Sequence, residues 1–157
     1  MSYFEIFKRE IINLSISNTY DEACSEWYEV CIDEADDGED YECVCSHPIK
    51  QLITIRNREN NNETIVGCDC IQKITGMKNK DLYLPVLTNL IELKHDPENT
   101  TIGKHLIEFI KTKDILNDSH IGFLEQMRCK RRLSEKQELY YNGLKGKIVR
   151  ILGKRSC

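Results

Sequence analysis

The chain of 157 residues contains no run of about 18 apolar residues, so no membrane-spanning helix is expected. It has no phosphate-cradling glycine-rich loop, no Gly-x-Ser-x-Gly, no His-Glu-x-x-His and no His-x-Glu paired with Pro-Cys-x-x-Cys. The usual signatures of nucleotide binding, serine hydrolysis, zinc proteolysis and zinc deamination are therefore missing. His95, His105 and His120 are scattered among helical patterns, and His47 is followed by Pro48 and Ile49 rather than by an acid at catalytic spacing. With so little of the ordinary catalytic inventory, no enzymatic activity is expected. The opening ten residues carry acids and bases in place of the apolar core of a signal peptide. Internal repeats and low-complexity tracts are also lacking.

Apolar residues make up 40% of the chain and charged residues 31%, ordinary proportions for a folded protein. Eight cysteines without a secretory signal point to thiols kept reduced or bound to metal, in an intracellular, reducing compartment. The net charge of −4 conceals a polarised chain. Residues 1–45 hold thirteen acids against Lys8 and Arg9, whereas residues 128–157 hold ten bases against Glu135 and Glu138. Such asymmetry marks an interaction tail or a nucleic-acid-facing element, unless the two ends simply attract each other across the fold.

Periodicity predicts an α+β protein in a single domain, residues 1–157, with a zinc-binding β-hairpin module over 41–76, a mainly helical N-terminus and a helical bundle over 80–152. Phe4, Phe7, Ile11 and Leu14 form one helical stripe; Ala23, Trp27, Val30 and Cys31 form that of a second helix capped by Asn18 or Thr19. An acidic loop follows over 33–40, and Tyr41 to Cys45 reads as a short strand. Leu52, Ile53 and Ile55, a polar turn from Asn57 to Asn62, and Thr64 to Val66 read as a hairpin. Gly67 offers unusual backbone angles, and a short helix from the second cysteine pair stops at Gly76. Further helices carry Leu82 to Leu93, with Pro85 in a first turn; Ile102 to Ile110, capped by Thr100 or Thr101; and Phe123 to Met127, opened by Ser119. The last starts at a Ser134–Gln137 capping box and bears Leu139, Tyr140, Leu144, Ile148 and Ile151, with Gly143 and Gly146 weakening its continuity.

The chemistry concentrates in YECVCSH and VGCDC. Cys43, Cys45, His47, Cys68 and Cys70 are soft ligands brought together by one hairpin, as a tetrahedral zinc ion requires. Four of the five suffice: Cys43, Cys45, Cys68 and Cys70 are preferred, with His47 the substitute for one of the second pair. A helix starting at the second pair favours thiolate there. Cys24 and Cys31, read on one helix about 10.5 Å apart along its axis, cannot share one ion.

The segment CVCSHPIKQLITIRNRENNNETIVGCDCIQKI resembles a zinc-binding segment of small proteins from giant DNA viruses and some large phages. The shared features are Cys-x-Cys-x-His-x-Ile, a strand ending in Asn, and a strand leading to Gly and Cys-Ile; Leu133 to Gln137 resembles an accompanying element. Cys43, Cys45, His47 and Cys70 match most directly. The resemblance implies a zinc module, viral origin and a place in a host cytoplasm, viral factory or virion, and supplies no catalytic residue. The expected function is a non-enzymatic zinc-stabilised protein-interaction module acting with a replication, transcription or virion assembly, Tyr140 and Tyr141 being candidate contacts. The alternative is nucleic-acid binding through Arg128, Lys130, Arg131, Arg132, Lys145, Lys147 and Arg150, helped by Lys136, Lys154 and Arg155 and by Arg56 and Arg58 at the hairpin tip.

Overall fold

A computed structural model describes residues 1–75 and 80–153 of the chain. Among them the fold is α+β, with two antiparallel sheets of three and two strands set among helices. The chain divides into two compact units, the second beginning at Asp81.

The first unit opens with α1 (Tyr3–Leu14), started by a capping box in which Ser2 Oγ accepts from the Glu5 N–H. Only Phe7 and Ile11 of its predicted stripe are fully buried; Phe4 is 44% exposed. The second predicted helix stops early. α2 covers Tyr20–Ser25, and Trp27–Glu34 forms strand β1, contrary to the helical reading of Trp27, Val30 and Cys31. An aromatic and β-branched run is ambiguous at this length, and pairing with the neighbouring strand decides it. A bulge at Val30 shifts the pairing, so burial passes from Trp27 and Glu29 to Cys31, Ile32 and Asp33.

The short strands β2 (Tyr41–Glu42) and β3 (Pro48–Ile49) pair with each other, and β4 (Gln51–Asn57) pairs with both β1 and β5 (Glu63–Val66). Helix α3 (Cys68–Thr75) packs on β1, β4 and α2. Leu52, Ile53, Ile55, Val66 and Ile71 are all at most 1% exposed and form the centre of this unit. The expected stop at Gly76 lies outside the described residues.

The asparagine-rich turn does more than reverse the chain. Asn60 and Asn62 each donate a side-chain N–H to the Leu14 carbonyl at 2.9 Å, occupying an open carbonyl at the end of α1. Asn57, fully buried, donates to the Glu26 carboxylate at 2.7 Å and accepts from the Glu59 and Asn60 N–H groups.

The regular elements of the second unit, among its described residues, are all helices: α4 (Lys80–His95), α5 (Lys104–Lys113), α6 (Asp118–Arg128) and α7 (Glu135–Leu152). No helix among the described residues is long and apolar enough to cross a membrane. Pro85 lies inside α4 and not in a first turn, because the helix begins at Lys80. The expected caps shift as well. Thr100 instead donates its hydroxyl to the Glu92 and Asp96 carbonyls at the end of α4, Gly103 stands at the N-cap of α5, and Asn117 caps α6 ahead of Ser119.

The predicted capping box at Ser134 and Gln137 does open α7, which runs unbroken through Gly143 and Gly146. Its buried face is Tyr141, Leu144, Lys145, Ile148 and Leu152, one residue out of phase with the predicted stripe at each end. A period of 3.6 around Leu144 and Ile148 allows either phase. The Tyr141 hydroxyl accepts from the Ile102 N–H at 2.8 Å, and Lys145 donates to the Pro97 carbonyl at 2.7 Å, which selects the observed one.

Candidate metal centre

The first ligand cluster is a tight loop closed by the β2–β3 pair. The Cys43 N–H donates to the His47 carbonyl at 2.9 Å and the Ser46 N–H to the Cys43 carbonyl at 2.7 Å, while Ser46 adopts the left-handed φ of 71° that the reversal needs. The Val44 N–H donates to the Ile65 carbonyl at 2.9 Å, which hangs the loop on β5. That strand leads through Gly67 into α3, so its end delivers the second cluster to the same place. Gly67 is required for a different reason from the one expected. Its backbone is not left-handed; a Cβ there would stand 3.0 Å from Ile49 Cγ2.

The sulfurs of Cys43, Cys45 and Cys70 all lie within 4.8 Å of one another and all three residues are buried. Cys45 and Cys70 are 3.7 Å apart. A tetrahedral ion with metal–sulfur bonds of about 2.3 Å places its sulfurs about 3.8 Å apart, so one edge is already at that length. The three can hold a metal. His47 and Cys68 are not in this mutual cluster, but both line the same pocket of about 430 Å³, together with Tyr3, Gln51, Asp69 and Lys73. His47 is exposed, its ring 4.9 Å from Tyr3 and edge-on to it; Cys68 is half-buried and donates to Gln51 Oε1 at 3.4 Å.

Charge is unevenly shared in the cluster. The thiol hydrogen bond from Cys70, together with the Cys45 and Gly67 N–H groups, outweighs burial and holds Cys43 down at about 5. Cys70 is pushed up by donating to Cys43 and by burial; Cys45 is pushed up first by burial. Burial, then the neighbouring Asp69, raises Cys68.

Compared with known proteins, the chain matches no family model, no curated protein and no solved structure.

The other cysteines among the described residues lie outside this cluster. Cys24 is buried in α2, Cys31 in β1 rather than on a shared helix, and Cys129 is exposed. The basic candidates separate as well. Arg128, Lys130, Arg131, Arg132, Lys136 and Arg150 are exposed and Lys147 half-buried, whereas Lys145 is 4% exposed with its ammonium 4.4 Å from the centre of the Tyr141 ring. Lys154 and Arg155 lie outside the described residues. Arg56 is paired with Glu63, and Arg58 lies over Tyr28 while donating to the Ser25 carbonyl, so both are engaged within the first unit. Tyr141 is buried, leaving Tyr140, at 43% exposure, as the surface ring.

Gln51, Tyr3 and Lys73 were not legible as pocket residues. Gln51 enters because β4 begins beside the loop, and Tyr3 and Lys73 because α1 and α3 both reach its rim; no spacing announces this. The close approach at Gly67 was signalled only by the glycine itself.

Proposed function

We propose that the first unit is a zinc module in which Cys43, Cys45 and Cys70 supply three thiolates, His47 or Cys68 supplies the fourth ligand, and the chain acts as a non-enzymatic protein-interaction module. The observation that carries this reading is the convergence of three buried sulfurs from two separate chain segments. Thiolate-rich tetrahedral sites favour zinc over the hard cations, and an all-protein fourth ligand would close the site for a structural role. Bound there, zinc would supply cross-linking of the loop to α3. The resemblance of residues 43–74 to viral zinc segments supports a viral origin and a partner in replication, transcription or virion assembly. Tyr3, which lines the pocket, and Phe4, whose ring lies under the pocket residue Lys73, are 53% and 44% exposed and support a protein partner.

Metal analysis of protein purified under reducing conditions tests the core of the proposal. About one zinc per chain, lost in Cys43→Ser and in Cys70→Ser, is the expected result; protein without metal refutes it. Asp69, the one carboxylate among the pocket-lining residues, tests the non-enzymatic part. Asp69→Asn should leave zinc content unchanged and remove no activity; a hydrolytic activity abolished by this change would overturn that part. The interaction part predicts a complex that survives nuclease and is lost in Tyr3→Ser/Phe4→Ser with zinc retained.

A further inference from the structure

The second unit carries a surface that the metal centre does not explain. Along α7, Lys136, Tyr140, Gly143, Lys147 and Arg150 follow one another at spacings of four, three, four and three, which places them on a single helix face. This face is turned by roughly 135° round the helix from the buried one. Leu139 and Gly146 flank it, Leu139 at 74% exposure. The end of α6 and the connection after it carry Arg128, Lys130, Arg131 and Arg132, all exposed, towards the beginning of the same helix.

Seven cations are thus presented by residues 128–150 without a neutralising partner among the described residues. None of their side chains has an ion pair or hydrogen bond among the described residues. Residues 128–134 contain no acid, Glu135 sits in the first turn of α7 where the helix dipole favours it, and Glu138 faces Lys145 away from the stripe. In the middle stands Tyr140, held edge-to-face against Phe123 at 4.6 Å with 43% of its surface open. Beyond it the helix is bare. A Cβ at Gly143 or Gly146 would meet nothing within 4 Å, so no internal packing asks for glycine at either position. The residues weaken the helix and leave its backbone approachable between Tyr140 and Lys147.

We propose that this face binds single-stranded nucleic acid, with phosphates on the cations and a base stacked on Tyr140. Unneutralised cations in a row match a polyphosphate chain, and the row from Lys136 to Arg150 spans about 21 Å of helix, the length of several nucleotides. An exposed ring rigidly supported among cations is the feature that a single strand uses and a duplex does not, because only unpaired bases offer their faces. Glycines let the sugar-phosphate backbone lie close to the helix. Binding on this face does not depend on the metal, which belongs to the other unit.

The test is fluorescence anisotropy of the full-length protein with a labelled single-stranded oligonucleotide of mixed sequence, between about 50 and 200 mM salt. Affinity should fall with salt, the logarithmic slope being about −0.7 for each phosphate neutralised. In Arg131→Ala/Arg132→Ala/Lys147→Ala/Arg150→Ala the slope should become shallower by about 0.7 for each phosphate that no longer meets a cation. Tyr140→Leu should weaken binding about tenfold with the slope unchanged. Helical circular dichroism and metal content, equal to those of the parent protein, exclude misfolding as the cause. Absence of salt-dependent binding, or parental affinity and slope in these variants, overturns the proposal. So does preference for duplex, for poly-glutamate or for anionic vesicles over the single strand.

Discussion

Glu26 stands at the joint of the first unit, and replacing it with glutamine should loosen the frame that carries the metal loop. The residue is 7% exposed. Its carboxylate accepts from the Ile16 N–H at 2.9 Å, the Ser17 N–H at 2.8 Å and Asn57 Nδ2 at 2.7 Å, tying the end of α1 to the β4–β5 turn. Burial disfavours the charge, but the donors from Ser17, Asn57 and Ile16 together outweigh it and hold the carboxyl at about 2, against an ordinary 4.5. All three partners are donors, and the Asn57 carbonyl is already committed to Glu59 and Asn60, so a glutamine NH₂ would face a donor whichever way it turned.

A depression of that size corresponds to roughly 3 kcal/mol of stability. Glu26→Gln is therefore expected to destabilise the unit by about 2–3 kcal/mol at neutral pH. Because the folded pKa is the lower one, this contribution is complete above the unfolded value and is lost as pH falls from 4.5 towards 2. At pH 3.5 the advantage of the parent protein should already have shrunk by about 1.4 kcal/mol. Trp27, the single tryptophan, lies next to Glu26 and reports this unit selectively. In urea, its fluorescence midpoint should move by about 1.5 M at neutral pH, given a slope near 1.5 kcal/mol/M. A difference between the proteins that is under about 0.5 kcal/mol, or that stays constant with pH, refutes the reasoning.

Zinc binding at pH 7 should release about two protons, from Cys45 and Cys70, since Cys43 is already charged; a third is expected if Cys68 is the fourth ligand. Calorimetry in buffers of different ionisation enthalpy counts them. Of His47→Ala and Cys68→Ser, one should lower zinc affinity steeply and change the absorption of the cobalt-substituted protein, while the other leaves both as they were; two equally small effects would assign the fourth position to solvent. Gly143→Ala and Gly146→Ala should each stabilise the second unit by about 1 kcal/mol, because the space is open and the helix gains a better former. Thermal unfolding of the single variants checks this.

The candidate site was largely legible because its signal is chemical. Two Cys-x-Cys pairs bracketing a hairpin leave few alternatives, and three of the five candidate ligands do meet. Hairpin strands β4 and β5 were legible from alternation, and α7 from its capping box. Residues 27–34 were not, because Trp27, Val30 and Cys31 suit a helix until β4 is known to lie beside them, and the bulge at Val30 breaks the alternation that would have marked a strand. The phase of α7 was decided by polar atoms far away in sequence, the Ile102 N–H and the Pro97 carbonyl, which no window of neighbouring residues contains. Lys145 was misplaced for that reason. A lysine in a basic run reads as a surface charge, and only the tertiary fold turns its ammonium inward.

The position of the three sulfurs along the chain has a topological consequence. Cys45 precedes the β4–β5 hairpin and Cys70 follows it, so an ion held by both would convert about 25 residues into a closed ring. By the arithmetic of any cross-link, a ring of that length removes about 3.5 kcal/mol of entropy from the unfolded chain. Strand β1 lies outside the ring and pairs with β4 through its own ladder. Withdrawal of the ion would therefore open the ring while leaving that ladder in place, and hydrogen exchange after chelation should quicken first in the 43–47 loop and α3, and only later along β1.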